Sequence, residues 1–124
     1  MVIHESAEDY LESILVLQER RGLVRSIDIV NELGFSKPSV SIAMKKLREN
    51  GYISMDPDGR ITLNESGLAI ANRIYGRHKT ITRFFMLLGV SEEAAAGDAC
   101  KVEHDLSDET FGKIQQFVAR TENA

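Results

Sequence analysis

Apolar residues recur at helical spacing through most of this chain, and the places where that spacing changes mark its other elements. Tyr10, Leu11, Ile14, Leu15 and Leu17 form one stripe, which predicts a first helix ending near Arg21-Gly22. Ser6 is a good N-cap for it, and Ala7-Glu8-Asp9 makes an acidic first turn that suits the positive end of the helix dipole. A short helix with Ser26 as its cap follows, with Ile27, Val30 and Leu33 apolar. Gly34 closes it, and Phe35 can pack under the turn. Ser36 caps a further helix with Pro38 in its first turn, where a missing amide proton costs nothing. That helix runs to about Asn50 with Val40, Ala43, Met44 and Leu47 inward and Lys37, Ser39, Ser41, Lys45, Lys46 and Arg48 outward.

After Asn50-Gly51 the period changes to two. Tyr52-Ile53-Ser54-Met55 and Arg60-Ile61-Thr62-Leu63 read as short strands around the turn Asp56-Pro57-Asp58-Gly59. Two short helices, a Gly-containing turn and an immediate β-hairpin make a winged helix-turn-helix, whose second helix enters the DNA major groove. Asn64 then caps a long helix from about Glu65 to Leu88, with Ala69, Ile70, Ile74, Ile81, Phe84, Phe85 and Leu88 as its stripe. Gly89-Val90 ends it. Ser91-Glu92-Glu93 and Ser107-Asp108-Glu109 open two more helices, the last with Phe111, Ile114, Phe117 and Val118 on one face. The expected fold class is mainly α with a small β-hairpin: a winged helix-turn-helix domain over 1–70 and a helical region over 71–124.

Composition changes this picture little, but charge distribution changes it more. A chain of 124 residues with 43% apolar and 27% charged residues supports one hydrophobic core of ordinary soluble type. No run approaches the ~18 apolar residues of a membrane span. Met1-Val2-Ile3-His4-Glu5 lacks the order of a signal peptide, and the single cysteine cannot form an internal disulfide, so a reducing cytoplasm is expected. The net charge of -4 is unevenly spread: Arg20 to Arg48 holds seven basic and two acidic residues, and Glu92 onward holds eight acidic and three basic. A basic segment suits phosphates, and an acidic one suits cations. The recognition helix has hydroxyls at its N-terminal end and no acidic residue before Glu49, which favours phosphate contact over a merely stable surface. Arg60 at the wing is a further candidate contact to backbone phosphate.

The acidic half contains the chemistry-bearing trio Cys100, Glu103 and His104, at helix positions i, i+3 and i+4. At that spacing one helical face presents a thiol, a carboxylate and an imidazole, the groups that most often hold transition metals. Taken alone, such a trio is more often a solvated surface. Asp9 and Glu12 share an edge of the first helix, where acidic residues also serve the dipole, and His78 sits mid-helix among Arg77, Lys79 and Thr80.

The element order, with the segments Glu8-Asp9-Tyr10-Leu11-Glu12-Ser13-Ile14, Lys37-Pro38-Ser39-Val40-Ser41, Leu63-Asn64-Glu65-Ser66-Gly67, Arg77-His78 and Cys100-Lys101-Val102-Glu103-His104-Asp105-Leu106-Ser107, resembles the diphtheria-toxin-repressor family of metal-dependent transcription regulators, within it the manganese-transport-regulator type. The resemblance covers Glu8 to about Val118. It implies a metal site made of Asp9, Glu12, His78, Glu103 and His104, with Cys100 as sixth member. Cys100 stands where manganese-type members carry Glu and iron-type members Cys, whereas Asp9 stands where iron-type members carry a thioether. The set is a hybrid, and Mn(II) or Fe(II) is the expected corepressor. Thr82 and Ala96 occupy the positions of an accessory site and cannot coordinate metal, and the shorter manganese-type architecture, without a barrel-like extension, is expected.

The resemblance also implies DNA contacts. Ser36, Pro38 and Ile42 lie where the family approaches base edges, and Ser39 and Ser41 where it holds phosphate. Arg25, Lys37, Lys45 and Arg60 complete the expected set. An apolar Ile42 can meet a thymine methyl. The last two helices are expected to pair two copies, which makes the operator a palindromic duplex. Metal would tie ligands of the first helix to those of the helical region and fix the spacing of the recognition helices. The rival readings are a winged-helix regulator with a vestigial metal site, a small zinc hydrolase built on Cys100, Glu103 and His104, and a winged helix that binds protein only. The ligand set leaves the hydrolase no open coordination position, so an enzyme is not expected.

Overall fold

The computed structural model describes residues 5–123, so Met1 to His4, part of the segment read for a signal peptide, lies outside the described residues. The elements run α1 (Glu5–Arg21), α2 (Ser26–Leu33), α3 (Lys37–Glu49), β1 (Ile53–Met55), β2 (Ile61–Leu63), α4 (Glu65–Leu87), α5 (Glu92–Val102) and α6 (Asp108–Glu122). The chain divides into two compact units, Met1–Asn72 and Arg73–Ala124. No helix among the described residues is long and apolar enough to cross a membrane.

In the first unit α1 packs on α2, α3 and β2. Its core takes Leu11, Ile14 and Leu17 from α1, Ile29 from α2, Val40, Met44 and Leu47 from α3, and Ile53 and Ile61 from the hairpin. Each such side chain contributes roughly 1.5–3 kcal/mol through removal from water. The strands pair antiparallel, Ile53 opposite Leu63, Ser54 opposite Thr62 and Met55 opposite Ile61. Period two therefore turns Ser54 and Thr62 to solvent. The Ile61 amide also donates to the Val24 carbonyl at 2.7 Å, which ties the hairpin to the segment before α2.

Several helix ends differ from the sequence pattern. Ser6 lies inside α1, because the helix already includes Glu5. The N-cap of α2 is Arg25, not Ser26, and the Asp28 carboxylate accepts from the Arg25 amide at 2.9 Å. That bond is the half of a capping box in which the third helical side chain returns to the cap's amide. The buried α2 residue is Ile29, whereas Ile27 is 44% exposed. Gly34 terminates α2 in the left-handed region at φ 72°, a conformation a Cβ disfavours. Ser36 does cap α3, accepting from the Ser39 amide at 3.2 Å.

Asn64 precedes α4, but its side chain is engaged elsewhere, accepting from Ser54 Oγ at 2.7 Å and donating to the Gly51 carbonyl at 3.0 Å. The start of α4 is held close to the hairpin for a steric reason as well. A Cβ on Gly67 would lie 2.2 Å from the Tyr52 carbonyl oxygen, so only glycine fits there.

The second unit is built from the remainder of α4 with α5 and α6. Ile74, Ile81, Ala95, Ala99 and Val118 are buried, and Phe84 meets Phe117 edge to face at 5.6 Å. Small alanines on α5 permit close packing. Leu88, expected on the α4 stripe, is 62% exposed, because the helix has ended at Leu87. Ser91 and Ser107 cap α5 and α6, accepting from the Ala94 and Thr110 amides.

Candidate metal centre and nucleic-acid interface

The first unit carries every residue expected at DNA. On α3 and its cap, Ser36, Lys37, Pro38, Ser39, Ser41, Ile42 and Lys45 are all exposed. Ser36 Oγ donates to Ser39 Oγ at 2.8 Å, which leaves both hydroxyls at the helix N-terminus, where amides and dipole favour an anion. Ile42 is 57% exposed, a costly placement for an isoleucine in water. The outer surface of α3 borders two grooves. Lys37 and Ser41 share one with Ser26, Ile27 and Val30 of α2. Ser39 and Ile42 share the other, of about 240 Å³, with Tyr10 of α1 and with Lys46. Burial holds the Tyr10 phenol above its ordinary range.

Arg25 and Arg60 flank the wing. Arg25 Nε donates to the Asp58 carbonyl at 3.2 Å, so this guanidinium anchors the hairpin turn in addition to being exposed. The turn itself is closed by Asp56, whose carboxylate accepts from the amides of Asp58 and Arg60, both at 2.9 Å. Arg60 is exposed at the start of β2. Lys46, placed outward by helical period but outside the expected set of DNA contacts, borders the same groove as Ile42, one turn after it.

Of the residues expected at metal, Asp9 and Glu12 stand three residues apart on α1 and are half-buried. The other four belong to the second unit. His78 comes from α4 and Cys100 from the last turn of α5, while Glu103 caps α5 and His104 follows it. Helix α5 stops at Val102, and His104 lies in the turn that follows, yet Cys100 and Glu103 keep the shared face expected of them. Glu103 keeps helical angles, φ -60° and ψ -27°, and its amide still donates to the Ala99 carbonyl at 3.0 Å.

The end of α5 sets Cys100 and Glu103 against His78 of α4. His78 Nδ1 lies 2.9 Å from Glu103 Oε2 and 3.7 Å from Cys100 Sγ. Each of His78, Cys100 and Glu103 offers a donor atom within 4.8 Å of the others. His104 Nε2 lies 3.5 Å from the second Glu103 oxygen, Oε1. The Glu103 side chain is 0% exposed, and the His78 side chain 22%. Among the described residues Glu103 Oε1 accepts no hydrogen bond. A carboxylate out of water costs several kcal/mol unless positive charge and hydrogen bonds compensate. Imidazole, thiol and carboxylate around such an oxygen form a donor set that a divalent transition metal fits.

Arg77, the residue before His78, is buried at 3% exposure. Its guanidinium meets the Glu103 and Leu106 carbonyls and Asp108. The sequence held a signal for it: Arg77 interrupts the apolar stripe between Ile74 and Ile81 at helical spacing.

Comparison with known proteins matches both parts of the chain. Residues 3–61 match the family described as iron dependent repressor, N-terminal DNA binding domain, and residues 64–123 the iron dependent repressor, metal binding and dimerisation domain. The chain is 36% identical over 118 residues to an HTH-type transcriptional regulator of Methanocaldococcus jannaschii, covering 94% of each. It is 34% identical over 116 residues to the transcriptional regulator MntR of Escherichia coli O157:H7, covering 94% of this chain and 75% of that one. A solved manganese-dependent transcriptional repressor in complex with manganese aligns with a TM-score of 0.84 at 28% identity, over 91% of this chain and 52% of the other. The chain thus spans about half the length of that solved relative.

Proposed function

Because the chain belongs to the iron-dependent repressor family, we propose that it is a metal-dependent DNA-binding transcriptional regulator, a repressor of metal-uptake genes with Mn(II) or Fe(II) as corepressor. The observation that carries this reading is the fully buried Glu103 carboxylate, with one oxygen lacking a hydrogen bond among the described residues, beside His78, Cys100 and His104. Asp9 and Glu12 complete the proposed ligand set by their match to the family's motif. Bound there, a divalent cation would supply the positive charge that a cluster of carboxylates attracts.

In this reading residues 1–70 are the DNA-binding domain and residues 71–124 the metal-binding and dimerisation domain. Ser36, Pro38 and Ile42 approach base edges, while Ser39, Ser41, Lys37, Lys45, Arg25 and Arg60 hold the backbone. Arg25 also fixes the wing through the Asp58 carbonyl. Phe117, 39% exposed on α6, belongs to a surface that pairs two copies. A homodimer reads a palindromic operator, with its half-sites spaced by the two-fold axis. The role is binding in the cytoplasm, not catalysis.

Activation requires that loading favour the DNA-competent arrangement over others, since equal affinity for both shifts nothing. The test is DNA binding by the full chain at one fixed salt concentration, on a duplex selected from a random library, with Mn(II), Fe(II) and Zn(II) titrated in parallel. Mn(II) or Fe(II) is expected to tighten binding tenfold or more, within the usual range of coupling. Equal binding by metal-free and metal-loaded protein, or activation by Zn(II) alone, overturns the proposal.

A further inference from the structure

A guanidinium is rarely buried without a structural demand for it, and Arg77 is 3% exposed on the apolar stripe of α4. Its Nη1 donates to the carbonyls of Glu103 at 3.1 Å and Leu106 at 2.8 Å, and its Nη2 to Asp108 Oδ1 at 2.6 Å. The same group lies 4.9 Å over the Phe111 ring. These acceptors are the end of α5, the turn after it and the first residue of α6. The next residue along α4, His78, meets the carboxylate of that same Glu103. Consecutive residues of α4 therefore hold Glu103 twice, Arg77 by its main chain and His78 by its side chain.

We propose that Arg77 is a positioning residue for the metal centre, which sets the placement of Glu103 against His78 and links that placement to the first turn of α6. The inference rests on the reading that the cluster holds a cation. A planar guanidinium can reach two carbonyls and a carboxylate at once, in fixed directions, whereas a lysine ammonium presents one compact donor centre. Lysine at this position keeps the charge and loses the simultaneous grip. Glu103 is then free to turn, and its carboxylate no longer stands at one distance from the imidazole.

The experiment uses the full chain as wild type, Arg77→Lys, Arg77→Met and Asp108→Ala. Mn(II) binding is followed by electron paramagnetic resonance, and Co(II) binding by the charge-transfer absorption of its bond to the Cys100 thiolate. Metal-free helix content and urea midpoint are measured alongside. Arg77→Lys is expected to retain its helix content and to lose about 10–100-fold in Mn(II) affinity, the usual effect of removing a group that orients a ligand, with an altered cobalt band. Arg77→Met loses at least as much. If Arg77→Lys is merely less stable and binds Mn(II) at wild-type affinity with an unchanged cobalt band, the inference is overturned. Should both Arg77 variants fail to fold, Asp108→Ala decides, since it removes the acceptor of Nη2 from a side chain that is 89% exposed: a several-fold loss supports the role, and unchanged affinity overturns it. Wild-type protein that binds neither ion removes the metal reading and this inference together, whereas normal binding by all the variants removes only the inference.

Discussion

Replacing Glu103 by glutamine separates the two demands on that residue, because it keeps shape and removes charge. The carboxylate is fully buried, with Oε2 at 2.9 Å from His78 Nδ1 and Oε1 at 3.5 Å from His104 Nε2. The glutamine amide can retain a hydrogen bond to His78, so the loss there is about 1 kcal/mol or less. Relief of a buried charge with one oxygen lacking a hydrogen bond acts in the opposite direction, by an amount of the same order or larger. Metal-free Glu103→Gln is therefore expected to equal the wild type in stability or to exceed it by about 1–2 kcal/mol, roughly 3–8 °C in a chain of this size. Metal changes the order. At a concentration of 100 Kd a ligand stabilises by about 2.7 kcal/mol, which shifts wild-type melting upward by roughly 10 °C. The variant loses an ionised ligand and most of that shift. Differential scanning calorimetry with and without Mn(II) reads both quantities. A variant destabilised by more than about 2 kcal/mol without metal, yet retaining the full Mn(II) shift, would refute the reasoning, since Glu103 would then be a structural acid.

Five other outcomes follow from the same structure. Cys100→Ser is expected to lower Zn(II) and Co(II) affinity by tenfold or more and Mn(II) affinity less, because thiolate favours the softer ions; competition titrations giving equal losses for all three would count against thiolate ligation. Gly67→Ala, normally favourable in a helix, should cost about 1–3 kcal/mol, since the added Cβ meets the Tyr52 carbonyl; a denaturant midpoint at or above wild type would contradict it. Lys45→Ala should weaken binding to all duplexes alike and lower the salt slope by about one, whereas Ile42→Ala should alter sequence preference and leave the slope alone. At high pH Tyr10 contributes a stability that vanishes: burial raises its pKa above 10.0, so the folded chain keeps a proton that the unfolded chain releases. That contribution is intact below pH 10 and is lost as pH rises through the folded value. Tyr10→Phe should flatten the alkaline limb of stability against pH, and an unchanged limb would dismiss the assignment.

Much of the fold could be read along the chain because its signals are local. The caps at Ser36, Ser91 and Ser107, the stop at Gly34 and the turn Asp56-Pro57-Asp58-Gly59 each act within a few residues. Helical period gave α3 its inward Val40, Met44 and Leu47, and alternation gave the hairpin its outward Ser54 and Thr62. Asn64 shows where local rules end. It has the composition of a cap, but a nearby carbonyl at Gly51 and a hydroxyl at Ser54 compete for its amide. Ile27 likewise fits an apolar stripe that α1 and α3 do not cover, and Ile29 takes the buried place instead.

By itself, the sequence determined the element types, the family and the donor chemistry, since each depends on residue identity at short or fixed spacing. Tertiary structure decided which donors meet. Periodicity assigned Cys100, Glu103 and His104 to one helical face, and Glu103 does keep helical angles at the end of α5, but packing of that end and the turn after it against α4 is what brings His78 to them. Arg77 holds that turn through carbonyls 26 and 29 residues away in the chain. No spacing rule reaches so far, because a main-chain carbonyl is the same at every residue, and only packing selects the ones that a buried guanidinium will find.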